Sequence, residues 1–262
     1  MPGSLLERLR AGTPVFALGI RNARTTEIVR IAKAAGFGLV WIDLEHSSMS
    51  IDCAAQIAAC AGDLGIEGWV RTPERDLGAI GRLLDGGASG IIAPRIETAA
   101  AARDVAQAAR FPPRGCRSRV GLLPQLGYRR LPAAELMQRA DESTTVHVLL
   151  ESHEGVRNAA AIAAIDGIDL LHVGMNDLST DLGHTGAPDH PEVMSACLSV
   201  ISAARQHGKS VVVGGLNNLS ALKEVTRAGA APLLLAAIDT DILAAGLTQR
   251  VLEWSDTWQV SP

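Results

Sequence analysis

TVHVLLESHEGVRNAAAIAAIDGIDLLHVGMND, residues 145–177, decides the fold. Two short runs, 145–150 and 170–174, are almost wholly apolar, and each leads into acids: Glu151 after the first, Asn176-Asp177 after the second. Between them, 155–164 spaces its apolar residues as a helix does. Strands that are apolar throughout, rather than at alternate positions, belong to a parallel sheet covered on both faces. The unit is therefore strand, helix, strand, with polar chemistry at the strand ends.

The same unit repeats on both sides. Upstream, strands at 14–20, 38–43, 67–71 and 90–94 alternate with helices at 24–35, 51–64, 76–84 and 99–110. Downstream, a helix at 191–207 is followed by strand–helix pairs at 210–213 with 219–228 and 232–237 with 242–254. Eight such units in 262 residues predict an α/β protein, a single (β/α)8 TIM barrel over residues 1–262. A doubly wound open sheet is the alternative. It wants a glycine-rich first turn, and Gly19-Ile20-Arg21-Asn22 carries no GxGxxG. An insertion at about 112–143, between the fourth helix and the fifth strand, is too long for an ordinary barrel loop. It falls at the N-terminal end of the barrel, where it could fold back or reach a neighbouring subunit.

Composition removes several function classes. A net charge of −4 gives no basic surplus for nucleic acid or an anionic membrane. Aromatic residues are 3% of the chain, too few for stacking platforms on single-stranded nucleic acid. No run of about 18 uncharged apolar residues predicts a membrane span, and Met1 to Arg8 holds no long apolar leader segment. The cysteines, Cys53, Cys60, Cys116 and Cys197, form no CxxC pair, and their scatter points to a reducing, cytoplasmic compartment.

Barrel chemistry sits at the C-terminal ends of strands. Those ends supply Asp43, Glu45 and His46, then Arg71, Glu151, Asn176-Asp177, Gly214-Gly215 and Asp239. Glu151 and Asp177 end neighbouring strands, so their carboxylates can share a hard divalent cation or remain solvated loop acids. Imidazole titrates near neutrality, which suits His46 to general acid/base work. Asp85 precedes Gly86-Gly87 and reads equally as a helix-end acid. The three lysines, Lys33, Lys209 and Lys223, all lie away from strand ends, which disfavours imine catalysis.

Four stretches together resemble the HpcH/HpaI aldolase family of the pyruvate/phosphoenolpyruvate barrel group. They are residues 36–46, ending Asp43-Leu44-Glu45-His46; Val70-Arg71 with residues 83–94; Phe111-Pro112-Pro113-Arg114-Gly115-Cys116-Arg117; and Glu151-Ser152 with residues 173–179. The resemblance implies a metal-dependent class II pyruvate aldolase, a carbon–carbon lyase that cleaves or forms 4-hydroxy-2-oxo acids, giving pyruvate or an analogue plus an aldehyde. Glu151 and Asp177 would hold Mg²⁺ or Mn²⁺, with Co²⁺ or Zn²⁺ as alternatives. His46 would be the acid/base group, Asp85 would tune it, and Arg71 would face the pyruvate oxygens. Asp43, Leu149, Gly174, Met175 and Asn176 would line the substrate site, the last three with backbone amides on the carboxylate. Assembly would be a homo-oligomer, a hexamer built as a trimer of dimers, with Trp254 and Trp258 against a neighbour.

The chain departs from the family pattern in three places. Leu149 stands where a Gln often precedes the metal glutamate by two residues. Gly174-Met175-Asn176-Asp177 replaces Gly-Pro-Ala-Asp, and Arg117-Ser118 replaces Arg-Gly. Two related reactions remain open: decarboxylation of an oxaloacetate-like acid, and a citramalyl- or malyl-CoA lyase whose groove would use the arginines of 114–130.

Overall fold

The computed structural model describes residues 5–259. Met1 to Ser4, half of the opening stretch read for a leader, lie outside the described residues. Eight parallel strands form one sheet: β1 (Val15–Ile20), β2 (Leu39–Asp43), β3 (Glu67–Arg71), β4 (Gly90–Ala93), β5 (Thr145–Leu150), β6 (Leu170–Gly174), β7 (Ser210–Gly214) and β8 (Leu233–Ile238). They hydrogen-bond in the order β7-β6-β5-β4-β3-β2-β1-β8. At the remaining seam the Ala231 N–H donates to the Val211 carbonyl at 2.7 Å, so the barrel is nearly closed. This is the (β/α)8 barrel that the apolar runs predict.

Helix α1 (Leu5–Arg10) precedes β1. Helices α2 (Glu27–Ala34), α3 (Ile51–Asp63), α4 (Leu77–Asp85) and α5 (Ala99–Ala109) follow the first four strands. The insertion is not a bare loop. It carries a 3-10 turn at Pro124–Leu126 and α6 (Ala133–Glu142), and it buries Phe111, Leu123, Leu136 and Ala140 among themselves. Arg110, 1% exposed, anchors it. Its guanidinium donates to the carbonyls of Gly167 (3.1 Å), Asp141 (2.8 Å) and Thr144 (3.1 Å) and pairs with Asp169.

After β5 the single helix expected at 155–164 is two, α7 (His153–Arg157) and α8 (Ala159–Ala163). The break falls at Asn158, whose side-chain amide donates to the Glu97 carbonyl at 2.7 Å. After β6 comes an unanticipated helix, α9 (Met175–Asp181), then α10 (Pro191–Gln206). α11 (Leu219–Ala228) follows β7, and α12 (Asp239–Trp258) follows β8. No helix among the described residues is long and apolar enough to cross a membrane.

Alternate strand residues point into the barrel, because the side-chain period of a strand is two. Ala17, Leu39, Trp69, Ile92, Leu149, Leu170, Val212 and Leu233 fill it as a separate apolar cluster. A larger cluster lies between the sheet and the helices.

The eighth helix breaks this plan. Of the twenty residues of α12 only Asp239 and Ser255 are buried. Leu243, Leu247, Val251, Trp254 and Trp258, spaced 4, 4, 3 and 4 apart, form one apolar stripe, and all five are exposed. Beside it Phe16 on the outer face of β1, 48% exposed, and Ala236 of β8 are also uncovered. The sequence predicts an eighth helix after its strand; here that helix leaves most of β8 only half-buried.

Candidate active site

The C-terminal strand ends open into a cavity of about 740 Å³, whose wall includes Arg21, His46, Arg71, Glu151, His172 and Asp177. Its charged floor begins at β2. Asp43 Oδ1 accepts the backbone N–H groups of Glu45 (3.0 Å) and His46 (3.2 Å), which folds the chain sharply after the strand. The register sets Asp43 beside Arg71 on β3. Arg71 donates Nε to Oδ1 at 3.0 Å and Nη2 to Oδ2 at 2.5 Å, and Arg21 Nε adds a third guanidinium contact at 2.7 Å. Burial alone would push this carboxyl up, but the hydrogen bonds and charge of Arg71, with help from Arg21, hold Asp43 down at about 2. The resemblance implies a substrate-lining role for Asp43. Both its oxygens are instead committed to aiming two arginines.

Arg71 is buried and lies over the Trp41 ring, 5.2 Å from its centroid. Its Nη1 is 2.9 Å from Glu45 Oε2, an ion pair without hydrogen-bond alignment. Arg71 therefore has two acidic neighbours, Asp43 and Glu45. Glu45, not picked out as a site residue, also stands 3.8 Å from His46 Nε2. His46 is itself half-exposed at the cavity mouth.

Across the cavity, Glu151 follows β5 and is 6% exposed. Its Oε1 accepts the backbone N–H of Arg95 at 3.0 Å, and Arg95 takes a left-handed φ of 51° to deliver it. Gly174 makes room for the other oxygen, since a Cβ there would stand 3.0 Å from Glu151 Oε2. Burial first, then the charges of Glu45 and Asp177, push the Glu151 carboxyl up to about 7. Asp177 is not at a strand end, as expected, but in the exposed first turn of α9. The amides of that turn have no partner within the helix, and Gly174 at its start has no side chain to cap them. Gly214-Gly215 is a close-packing turn, because a Cβ on Gly215 would meet Asn176 at 3.1 Å.

A carboxyl that burial and two neighbouring acids push up would be stabilised in its charged form by a bound cation. Oxygen donors without Cys or His suit a hard divalent ion, so this donor set fits Mg²⁺ or Mn²⁺ better than Zn²⁺. Elsewhere among the described residues His184, His190 and Glu192 also cluster. Their imidazoles stack at 3.6 Å and 19°, however, which aims the ring lone pairs in parallel rather than at one ion.

Asp85 is not in this cavity. It ends α4 at the opposite end of the barrel and accepts from Arg117 Nη2 at 2.6 Å. Arg117 is buried and stacks over Phe111 of the insertion. Within one chain, Asp85 therefore cannot meet His46, because strand and returning helix put their C-terminal ends on opposite faces. The arginines of 114–130 lie at that same far end, with Arg114 on Asp166, so they build no groove at the cavity mouth.

The sequence profile of the HpcH/HpaI aldolase/citrate lyase family matches residues 21–238. The chain belongs to this family. Among its relatives, a 4-hydroxy-4-methyl-2-oxoglutarate aldolase of Hapsidospora irregularis is 39% identical over 92% of this chain and 91% of its own. A 4-hydroxy-2-oxo-heptane-1,7-dioate aldolase of Salmonella arizonae is 31% identical over 94% and 92%. The crystal structure of an HpcH/HpaI aldolase from Desulfitobacterium hafniense superposes with a TM-score of 0.87 at 27% identity, covering 96% of each chain. Family membership makes this barrel a lyase of the aldolase type. The strand-end cavity is where that chemistry belongs.

Proposed function

We propose that this HpcH/HpaI protein is a divalent-metal-dependent aldolase that cleaves or forms 4-hydroxy-2-oxo acids, with pyruvate or a pyruvate analogue and an aldehyde as the other side of the reaction. One observation carries the reading: Arg71, fixed by Asp43 and Glu45, faces a Glu151 carboxyl that burial and neighbouring acids hold near 7. A fixed guanidinium and an acid pair seeking a cation are what a 2-oxo acid needs around its oxygens. The aldolases named among the relatives support the same reaction class.

Glu151 and Asp177 would hold the ion, which when bound supplies Lewis-acid stabilisation of negative charge developing on the 2-oxo oxygen. Arg71 shares that charge through a fork that cannot reorient, because Asp43 fills its other edge. The open amides at the start of α9 take the carboxylate. His46, at the mouth, moves the proton of the 4-hydroxyl as the carbon–carbon bond breaks. Leu149 and the apolar barrel floor exclude water from the reacting carbons. Four free cysteines support a reducing, cytoplasmic setting.

The substrate panel that tests this contains 4-hydroxy-2-oxo acids, oxaloacetate and citramalyl-CoA, each with EDTA and with Mn²⁺ restored. Pyruvate and an aldehyde should appear from the hydroxy-oxo acids only, or fastest, and only with metal. Cleavage confined to oxaloacetate or to the thioester would replace the aldolase reading.

Assembly completes the site in this reading. The stripe of α12, with exposed Phe16 near it, is too apolar to stand in water, and a second copy would cover it. Light scattering should report a multiple of the 27.4 kDa chain, and Leu247→Glu should lower it. A stable monomer contradicts this. A neighbour is also the only route by which Asp85 could orient His46. Asp85→Asn should then lower kcat more than it raises KM, with the fold retained. Loss of melting temperature with unchanged kcat would make Asp85 no more than the anchor of Arg117.

A further inference from the structure

Two histidines sit inside the barrel with no part in the chemistry above. His147 on β5 and His172 on β6 are buried, and His147 Nδ1 lies 2.9 Å from His172 Nε2. The Trp69 ring meets His147 edge-on at 4.1 Å. Trp41 meets His172 the same way at 6.0 Å and carries Arg71 over its own face. Burial pushes both imidazoles down, His172 to about 3 with the charge of Arg71 adding to the effect, so both are neutral.

A neutral pair joined by one hydrogen bond has two possible proton arrangements, and the surroundings choose between them. His147 Nε2 is sealed away from any partner. Trp69 Nε1, a donor only, is likewise without an acceptor. A proton on His147 Nε2 would bury a second orphaned N–H in the same apolar space, and buried orphaned N–H groups are rarer than orphaned acceptors. The favoured arrangement puts the His147 proton on Nδ1, where it donates to His172 Nε2. That forces the His172 proton onto Nδ1. The His172 ring lines the same cavity as Arg71 and Glu151, and Nδ1 is the nitrogen not turned toward His147.

The register adds a second observation. Leu149 and His172 are direct partners across β5 and β6. Leu149 is the position where the resembling pattern often carries a hydrogen-bonding Gln. The polar function absent on one strand is present on the next.

We propose that His172 is a substrate-binding residue, its Nδ1–H donating to an oxygen of the bound 2-oxo acid beside Arg71, with His147 as the positioning residue that fixes the tautomer. The proposal rests on the 2-oxo acid reading above.

Oxamate, an unreactive isostere of pyruvate, is the probe, titrated into the Mn²⁺-loaded oligomer by calorimetry. His172→Phe keeps the ring volume and removes the donor. It should weaken oxamate binding about tenfold or more and raise KM in parallel, the scale of one hydrogen bond to a charged group. His172→Gln should recover most of that loss. Independently, ¹⁵N-histidine spectra of the wild-type protein, loaded with diamagnetic Mg²⁺, should show His172 neutral from pH 5 to 8, protonated at Nδ1, with that nitrogen shifting when oxamate binds. His147→Leu should leave a mixture of tautomers and an intermediate affinity. Unchanged oxamate affinity in folded His172→Phe, or a His172 proton on Nε2 that ignores oxamate, overturns the proposal. Should His172→Phe not fold, the wild-type spectra and His172→Gln decide. A wild-type enzyme that neither binds oxamate nor cleaves a 4-hydroxy-2-oxo acid removes the aldolase reading, and this proposal with it.

Discussion

Arg71→Ala should lower kcat/KM by at least about 3 kcal/mol of transition-state stabilisation, roughly a hundredfold or more, the scale for removing one preorganised charge donor. Arg71 touches no solvent-facing acid that could be rearranged around it. Its three guanidinium nitrogens are directed to Asp43 and Glu45, and its flat face lies on Trp41. Arg71→Lys should rescue poorly, because an ammonium cannot occupy both oxygens of Asp43 and still face the cavity. The substitution also has a stability signature. Asp43 has its pKa lowered from 3.8 to about 2, so it contributes stability that is present above pH 4 and lost as pH falls toward 2. Without Arg71, Arg21 and the backbone N–H of His46 remain to hold it down, and part of that contribution should vanish at neutral pH. Melting curves at pH 7 and pH 3 separate the two effects: the gap between wild type and Arg71→Ala should be larger at pH 7. Near-normal kcat/KM in Arg71→Ala would remove it from the chemistry.

The second large effect belongs to the acids. Glu151→Gln and Asp177→Asn should each abolish cleavage while the protein stays folded. Glu151→Gln should even melt at or above the wild-type temperature in metal-free buffer, since it removes a buried charge that burial, Glu45 and Asp177 all oppose. Added Mn²⁺ should stabilise the wild type and neither variant, because an ion that binds only the folded state raises its apparent stability. Retained cleavage in either variant contradicts the two-carboxylate site.

Much of this was legible in the chain, for a physical reason. Strands covered on both faces are largely apolar, so β3, β5 and β6 span the residues the sequence predicts for them, 67–71, 145–150 and 170–174. Strand ends then had to carry the polar chemistry, which is how Arg71, Glu151 and His46 could be named. Asp177 could be named too, but not its place on a helix, because Met175-Asn176-Asp177 prolongs the run without a break signal. The role of Asp43 was not legible. A carboxylate at a strand end looks the same whether it meets a ligand or a guanidinium, and only the Asp43–Arg71 register distinguishes them. That register also explains the missed Glu45, one turn of chain beyond. For α12 the spacing of Leu247, Val251 and Trp254 shows that one face must be buried. It says nothing about which molecule buries it. Asp85 is a different case: the resemblance implies a role beside His46, while the alternation of strand and helix puts the two at opposite ends of one chain, so only a neighbouring subunit could bring them together.

The central claim is that the cavity between Arg71 and Glu151 is a metal-dependent aldolase centre. Its most direct test is equilibrium binding of Mn²⁺ to metal-stripped protein, followed by electron paramagnetic resonance, with pyruvate release from a 4-hydroxy-2-oxo acid measured on the same samples. The account predicts one tight Mn²⁺ per chain, cleavage that rises in proportion to its occupancy, and loss of both in Glu151→Gln. Full cleavage by stripped protein, or Mn²⁺ binding that survives Glu151→Gln unchanged, would contradict it.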